Sequence, residues 1–297
     1  MNPGSRVLNI ALLLLVSFIA GSAERLTVYT VNYPLAYFAQ RIGGEHINVV
    51  FPVPAGVDPA FWQPDVRDIT AFQQADLVLL NGARYAKWIE RASLPRRRLV
   101  DTSAAFRDAY INVSETVAHQ HGPGGVHSHA GTAFTTWLDF SQAIEQARAI
   151  KLALEKMLPQ YSDVFTRNFS SLERELGSLD QRIMAIVSQD RDKVFVASHP
   201  VYQYLTRRYN INLETVMWEP EVVPDQAQWQ SMQQLLRSHK AKWMIWEGEP
   251  HDQSVKRLNA SGINSLVFDP GANAPEKGDF ISLMNRNIME LEKAYRE

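Results

Sequence analysis

Two periodicities alternate along most of the chain. Residues 26–30 (LTVYT) and 47–53 are rich in β-branched and aromatic side chains and read as strands, while 33–42 between them carries apolar residues at helical spacing and is stopped by Gly43-Gly44. The order then repeats: a helix over 65–73, a buried strand over 76–81 (DLVLLN), a helix around 85–93 and a strand over 98–101. Strands alternating with helices predict a parallel sheet covered by helices on its faces.

After Ser103 the pattern lapses. Residues 112–134 hold neither period and are rich in Gly, His, Ser and Thr, which predicts a long surface loop of the kind that carries function or disorder. Helical spacing resumes over 141–157, stops at Pro159, and continues over 161–188, where Leu172, Leu176, Leu179, Ile183 and Ile186 form one stripe. A helix of about 28 residues extends about 42 Å, enough to run the length of the molecule. Beyond it the alternation restarts: strand 194–197, helix 201–209, strand 214–218, helix 226–239, strand 242–246 (KWMIW), helix 253–259, strand 265–268 and a closing helix over 280–295. The expected fold class is α/β, with two (βα)4-type lobes built on parallel sheets and joined by one long backbone helix. The expected boundaries are an N-terminal lobe at 24–140 that includes the 112–134 loop, a helical segment at 141–190 that includes the linking helix, and a C-terminal lobe at 191–297. No residue-level repeat accompanies the shared architecture.

Composition narrows the function classes. With 297 residues, 45% of them hydrophobic, the chain is long enough for two cores. A net charge of -2 provides no basic field, so neither nucleic acid nor an anionic membrane surface is an expected partner. A monomer is the expected state. Arg6, the apolar run over 7–20 and the small residues Gly21 and Ala23 predict a signal peptide at 1–23, cleaved near Ala23, and hence a periplasmic protein. The run is shorter than the roughly 20 residues that span a bilayer. The complete lack of cysteine removes disulfides, thiolate metal sites and a lipid-modified N-terminal cysteine. Any metal is therefore held by imidazole, carboxylate or main-chain oxygen, a set that favours zinc, manganese, iron or nickel over copper(I).

The candidate chemistry is imidazole and carboxylate. Four of the eight histidines, His119, His121, His127 and His129, form two His-x-His pairs inside the 112–134 loop. In an extended backbone residues two apart point to one side, so each pair can offer two imidazoles to one ion. A solvated loop with incidental histidines is the plainer alternative. His199 follows the strand 194–197 and Asp269 follows the strand 265–268, the ends where an open α/β sheet places its ligand-contacting groups. Each alone reads as a structural histidine or a turn residue, but together they make half of a tetrahedral zinc shell. Glu219, Glu247 and Glu249 sit at further strand ends, in WEPE and WEGEP, and can add oxygen ligands or orient an imidazole, although acidic strand ends also serve as helix caps. The seven tryptophans, Trp218, Trp243 and Trp246 among them, read as core and inter-lobe packing.

These features resemble one family over nearly the whole mature chain, the zinc and manganese receptors of ABC importers known as cluster A-I solute-binding proteins. The resemblance rests on GVDPAFWQPD at 56–65, the His-rich loop, TTWLD at 135–139, SHPVYQYLTRRY at 198–209 and FDPGANAPEKGDFISLMNRNI at 268–288. It implies two α/β lobes fixed by one backbone helix, a divalent transition-metal ion as cargo, Zn2+ first with Mn2+ or Fe2+ as alternatives, and a permease in the inner membrane as partner. His199 and Asp269 match two of the family's ligand positions. At the other two, where the family usually has histidine, this chain has Ala60 and Thr135. Either the loop histidines supply the missing imidazoles, which is the favoured expectation, or the cleft is retuned to another ligand, with Trp62 and Trp137 filling the emptied positions and the loop acting separately as a metal trap. A periplasmic metal buffer that never docks on a permease is a further alternative. A metal-dependent hydrolase is the contrasting class, but no G-x-S-x-G, His-Glu-x-x-His or phosphate loop supports it.

Overall fold

The computed structural model describes residues 25–113, 118–120, 126–128 and 131–297. The signal segment expected at 1–23 lies outside them, as do His121 and His129. Among the described residues no helix is long and apolar enough to cross a membrane.

The N-terminal half builds a four-stranded parallel sheet from β1 (Leu26–Thr30), β2 (Ile47–Val50), β3 (Leu77–Leu80) and β4 (Leu99–Asp101), in the order β2-β1-β3-β4. Helices α1 (Tyr33–Gly43) and α2 (Val66–Gln74) connect its first three strands. Each is started by a side chain that satisfies open amides: Asn32 accepts from the Leu35 amide, and Asp65 forms a capping box with Asp68. The helix expected at 85–93 is absent. Gly82, Ala83 and Arg84 all adopt positive φ (75°, 48° and 56°), so the chain leaves β3 through a left-handed turn and makes only a 3-10 turn at Lys87–Glu90.

The 112–134 loop is pinned at its base by the antiparallel pair β5 (Asn112–Val113) and β8 (Gly131–Thr132), and a second pair, β6 (Ala118–Gln120) and β7 (Val126–Ser128), places His119 opposite His127 in register. These short ladders correct the expectation of an entirely irregular stretch.

Helix α3 (Phe140–Met157) leads into α4 (Ser162–Val187), whose 26 residues extend about 39 Å. Its buried stripe includes Leu172, Leu176, Leu179, Ile183 and Ile186. It packs on α1 and α3 of the first half and on α5 (Gln203–Tyr209) and α8 (Phe280–Arg296) of the second. An arginine ties it to each side: Arg41 of α1 to Glu175 and Arg208 of α5 to Asp180 (2.7 Å).

The C-terminal half repeats the layer with β9 (Val194–Ala197), β10 (Asn212–Thr215), β11 (Trp243–Trp246) and β12 (Asn264–Val267), ordered β10-β9-β11-β12 and wholly parallel, with α6 (Gln226–Ser238) and α7 (Asp252–Ala260) between strands. β10 ends earlier than the expected 214–218 because its ladder stops with β9 at Ala197. Trp218, beyond the strand, still donates its amide to the Ser198 carbonyl (2.9 Å) and buries its ring against Trp229 and Trp246.

Candidate metal centre

The order of the second sheet explains what meets at its edge. β9 lies between β10 and β11, so the residues that follow these three strands emerge side by side, one strand spacing of about 4.8 Å apart. Those residues include His199, Glu219 and Glu247. Their candidate ligand atoms all lie within 4.8 Å of one another.

Each side chain is fixed by its local backbone. The Ser198 amide donates to the Ile245 carbonyl (2.8 Å), which holds the chain leaving β9 against β11 and leaves His199 only 1% exposed. The Glu247 amide donates to the Ser198 hydroxyl (3.3 Å), and the buried Trp218 anchors Glu219. The imidazole Nδ1 lies 3.2 Å from Glu247 Oε1 and 3.3 Å from the Trp218 carbonyl, while Nε2 lies 3.8 Å from Glu219 Oε1. A neutral ring that donates from Nδ1 to these acceptors presents Nε2 on the side where Glu219 stands.

The electrostatics suit a cation. Burial pushes the Glu247 carboxyl well above the usual carboxylate range, and the charges of Asp58, Glu219, Glu221 and Asp269 push it the same way. A divalent cation would relieve all of these at once. Beside the cluster is a cavity of about 50 Å³ lined by Asp58, Tyr85, Thr135, Trp137, His199 and Glu247, with apolar neighbours. That is far below the roughly 300 Å³ at which organic ligand sites begin, and ample for an ion and a water. The side chains of the first half close it through bonds across the seam. Thr135 Oγ1 donates to the Val201 carbonyl (2.5 Å) and Trp137 Nε1 to the Pro270 carbonyl (2.7 Å). Nearby, Tyr204 donates to the Ala133 carbonyl (2.9 Å), and Asn273 Nδ2 to those of Pro54 and Val57 (both 2.8 Å).

Several expected residues lie outside this three-residue cluster. Asp269 is outside the three-residue cluster because β12 neighbours β11 and not β9, so the two strand ends that looked equivalent are separated by a strand. One of its carboxylate oxygens accepts the Gly271 amide (2.7 Å), and burial raises its pKa. With the exposed Glu249, it lines a separate groove of about 850 Å³ that also holds Lys277 and Arg286. Trp137 does fill the cavity wall, but Trp62 does not. Its ring packs on Phe72 and Trp88, 6.4 and 6.1 Å between centroids, inside the first lobe. Ala60 is buried. Two lining residues went unread in the sequence. Asp58 had a signal, since it opens the DPA turn and its carboxylate accepts the Ala60 amide (2.8 Å). Tyr85 had none.

The family described as ZnuA, zinc-uptake complex component A, periplasmic, matches residues 28–294. The zinc-binding lipoprotein AdcA of Streptococcus pneumoniae is 23% identical over 91% of this chain and 56% of its own length, so the chain spans little more than half of that relative. The metal ABC transporter substrate-binding lipoprotein FimA of Streptococcus parasanguinis is 25% identical over 92% of this chain and 90% of FimA. Among solved structures, the Zn(II)-bound ZnuA-like domain of S. pneumoniae AdcA superposes with a TM-score of 0.77 at 19% identity, covering 92% of this chain and 100% of that domain. FpvC of Pseudomonas aeruginosa in complex with Mn2+ gives 0.72 at 21% identity, covering 92% of this chain and 99% of FpvC. At such identities the structural likeness carries the fold.

Proposed function

This chain belongs to the ZnuA family of periplasmic zinc-uptake components, and from that premise we propose that it is the periplasmic receptor of an ABC importer, binding one divalent transition-metal ion between its lobes and handing it to the permease. The observation that carries the reading is the buried His199 set between Glu219 and Glu247 beside a cavity of about 50 Å³, too small for an organic solute. Zinc is the proposed cargo. Mn2+ and Fe2+ are its competitors, because one imidazole among several carboxylates is a harder donor set than an all-imidazole site.

His199 Nε2 and Glu219 are proposed as direct ligands. Glu247 either joins them or holds the ring through Nδ1, and Asp269 adds charge from one strand further along the sheet edge. These donors leave a tetrahedral ion short of ligands, so the histidines of the 112–134 loop, His119, His121, His127 and His129, are proposed to add imidazole. No step of the role calls for bond-making on a substrate, so a receptor is favoured over a hydrolase.

The test is the metal content of untagged protein from the periplasm, followed by competition titration of wild type and of His127→Ala with His129→Ala. Wild type should carry one tightly held ion per chain, and the double variant should bind it at least about tenfold more weakly. Protein that takes up neither Zn2+ nor Mn2+ would sink the receptor reading.

A further inference from the structure

The cavity beside His199 contains one polar group whose role the ligand set leaves unexplained. Tyr85 is 2% exposed and lines this cavity, yet its hydroxyl has no hydrogen-bond partner among the described residues. Burying a hydroxyl unpaired is unfavourable, and one that faces a polar cavity is explained by a water or an ion's hydration shell. Neighbouring donors on the same wall are already committed: the Thr135 hydroxyl to Val201, and the Trp137 indole N–H to Pro270. Tyr85 is held rigidly. Its ring packs edge-on against Phe134 and Trp137, with centroids 5.3 and 5.7 Å away, and the left-handed turn at 82–84 delivers it there.

We propose that Tyr85 is a positioning residue whose hydroxyl bonds a water coordinated to the bound ion, so that the cargo is held partly hydrated. The donors of the second lobe grip one side of the ion, and on the side facing the first lobe the water held by Tyr85 takes one coordination position beside the imidazole that the loop is proposed to add. The cavity volume of about 50 Å³ admits such a pair. A retained water suits ions that keep oxygen ligands readily, so Mn2+ gains relative to Zn2+. It also leaves an exchangeable position through which the ion can be released.

The proposal rests on the metal-receptor reading and is tested with the full chain and the ions themselves. Wild type and Tyr85→Phe are compared for Mn2+ and Zn2+ affinity, for thermal unfolding without metal, and for water-proton relaxation of the Mn2+ complex. Tyr85→Phe is expected to weaken Mn2+ about tenfold, in line with loss of a hydrogen bond to a charged centre. Without metal, the variant should unfold no earlier than wild type, because it removes an unpaired buried hydroxyl. The wild-type Mn2+ complex should show the relaxation of an inner-sphere exchanging water, which the variant loses or binds less well. A ring with only a packing role would not produce these opposite effects. A wild-type Mn2+ complex without coordinated water, or unchanged affinity in Tyr85→Phe, overturns the proposal while leaving the receptor standing. Failure of wild type to bind either ion overturns both.

Discussion

The two sheets share one layout and differ at the edge where their strands end. In the first half the strand ends carry Asn32, Asn81 and Thr102, which satisfy one another with Gln146 of α3: Asn32 Nδ2 and Gln146 Nε2 each donate to Asn81 Oδ1 (both 3.1 Å), and Gln146 also reaches Thr102 Oγ1 (3.1 Å). Asn81 completes the set by donating to the Phe134 carbonyl (2.9 Å), which fixes the segment before Thr135. In the second half the same edge carries His199, Glu219 and Glu247, with Asp269 one strand further. The uncharged groups of the first edge satisfy one another, and its one strand-end carboxylate, Asp101, is paired with Arg107. The second gathers acidic groups around an imidazole, an arrangement that a cation would stabilise. Position at a strand end therefore marks two equivalent edges as candidate sites, and side-chain chemistry favours the second as the metal site.

That contrast breaks most visibly with one substitution on each edge. His199→Ala should lower metal affinity by at least about a hundredfold while the fold persists, because it removes the imidazole that the carboxylates surround. Asn81→Ala should do the opposite, costing about 2 kcal/mol of stability by stranding Asn32 and Gln146, with little direct effect on the ion. Calorimetric titration and denaturant unfolding of both variants check it. If Asn81→Ala loses metal as completely as His199→Ala at full stability, the two edges do not divide the work.

A smaller effect sharpens the same contrast through pH. The Glu247 carboxyl has a raised pKa in the fold, by burial first and neighbouring acids second, so its protonated form is the favoured one without metal. The sign follows from linkage. Its contribution to stability is fully present below the ordinary glutamate pKa of about 4.3 and is lost as pH rises through the raised folded value. Glu247→Gln cannot ionise. In metal-free protein it should therefore unfold later than wild type on the alkaline side of that window and no later at pH 4, while binding metal more weakly throughout. Half-buried Asp269 is shifted in the same direction, so the wild-type slope should flatten only in part. Thermal unfolding of metal-free protein from pH 4 to 9 reads this directly, and parallel profiles for the two proteins would count against it.

Much of the fold is legible in the sequence alone. The two periodicities gave the alternating elements, the five-residue stripe of α4 gave the linking helix, and the strand-end rule placed His199 and Glu247 at an edge. What stayed hidden was order across the sheet, which hydrogen bonding between distant segments determines and local pattern does not encode. For that reason His199 and Asp269 looked like equal partners, although β11 stands between their strands, and Glu219 ranked as an accessory although β10 adjoins β9. Tyr85 was hidden for another reason. A helical pattern at 85–93 is what the side chains suggest, but positive φ at Ala83 and Arg84 redirects the backbone, and such a conformation in residues other than glycine leaves no mark in periodicity.

The smallest expected effect lies where the edges meet. Asp58 belongs to the first lobe and is exposed, yet it lines the cavity beside His199, and its charge pushes the Glu247 pKa up. Asp58→Asn should have two consequences of opposite sign. It removes one negative charge from the field that attracts a divalent cation, which weakens binding. It also lowers the pKa of Glu247, so fewer protons compete with the metal, which strengthens binding as pH falls. At pH 8, where proton competition is least, the lost attraction should dominate and affinity should fall by about two- to fivefold, a size suited to an exposed, screened charge. At pH 6 the loss should be smaller, because the two consequences then oppose each other. Titration at both values, repeated in 0.5 M salt to screen the direct attraction, separates them. A loss as large as that of His199→Ala at either pH would make Asp58 a ligand in its own right, and the division between an internally paired first edge and a metal-binding second edge would have to be redrawn.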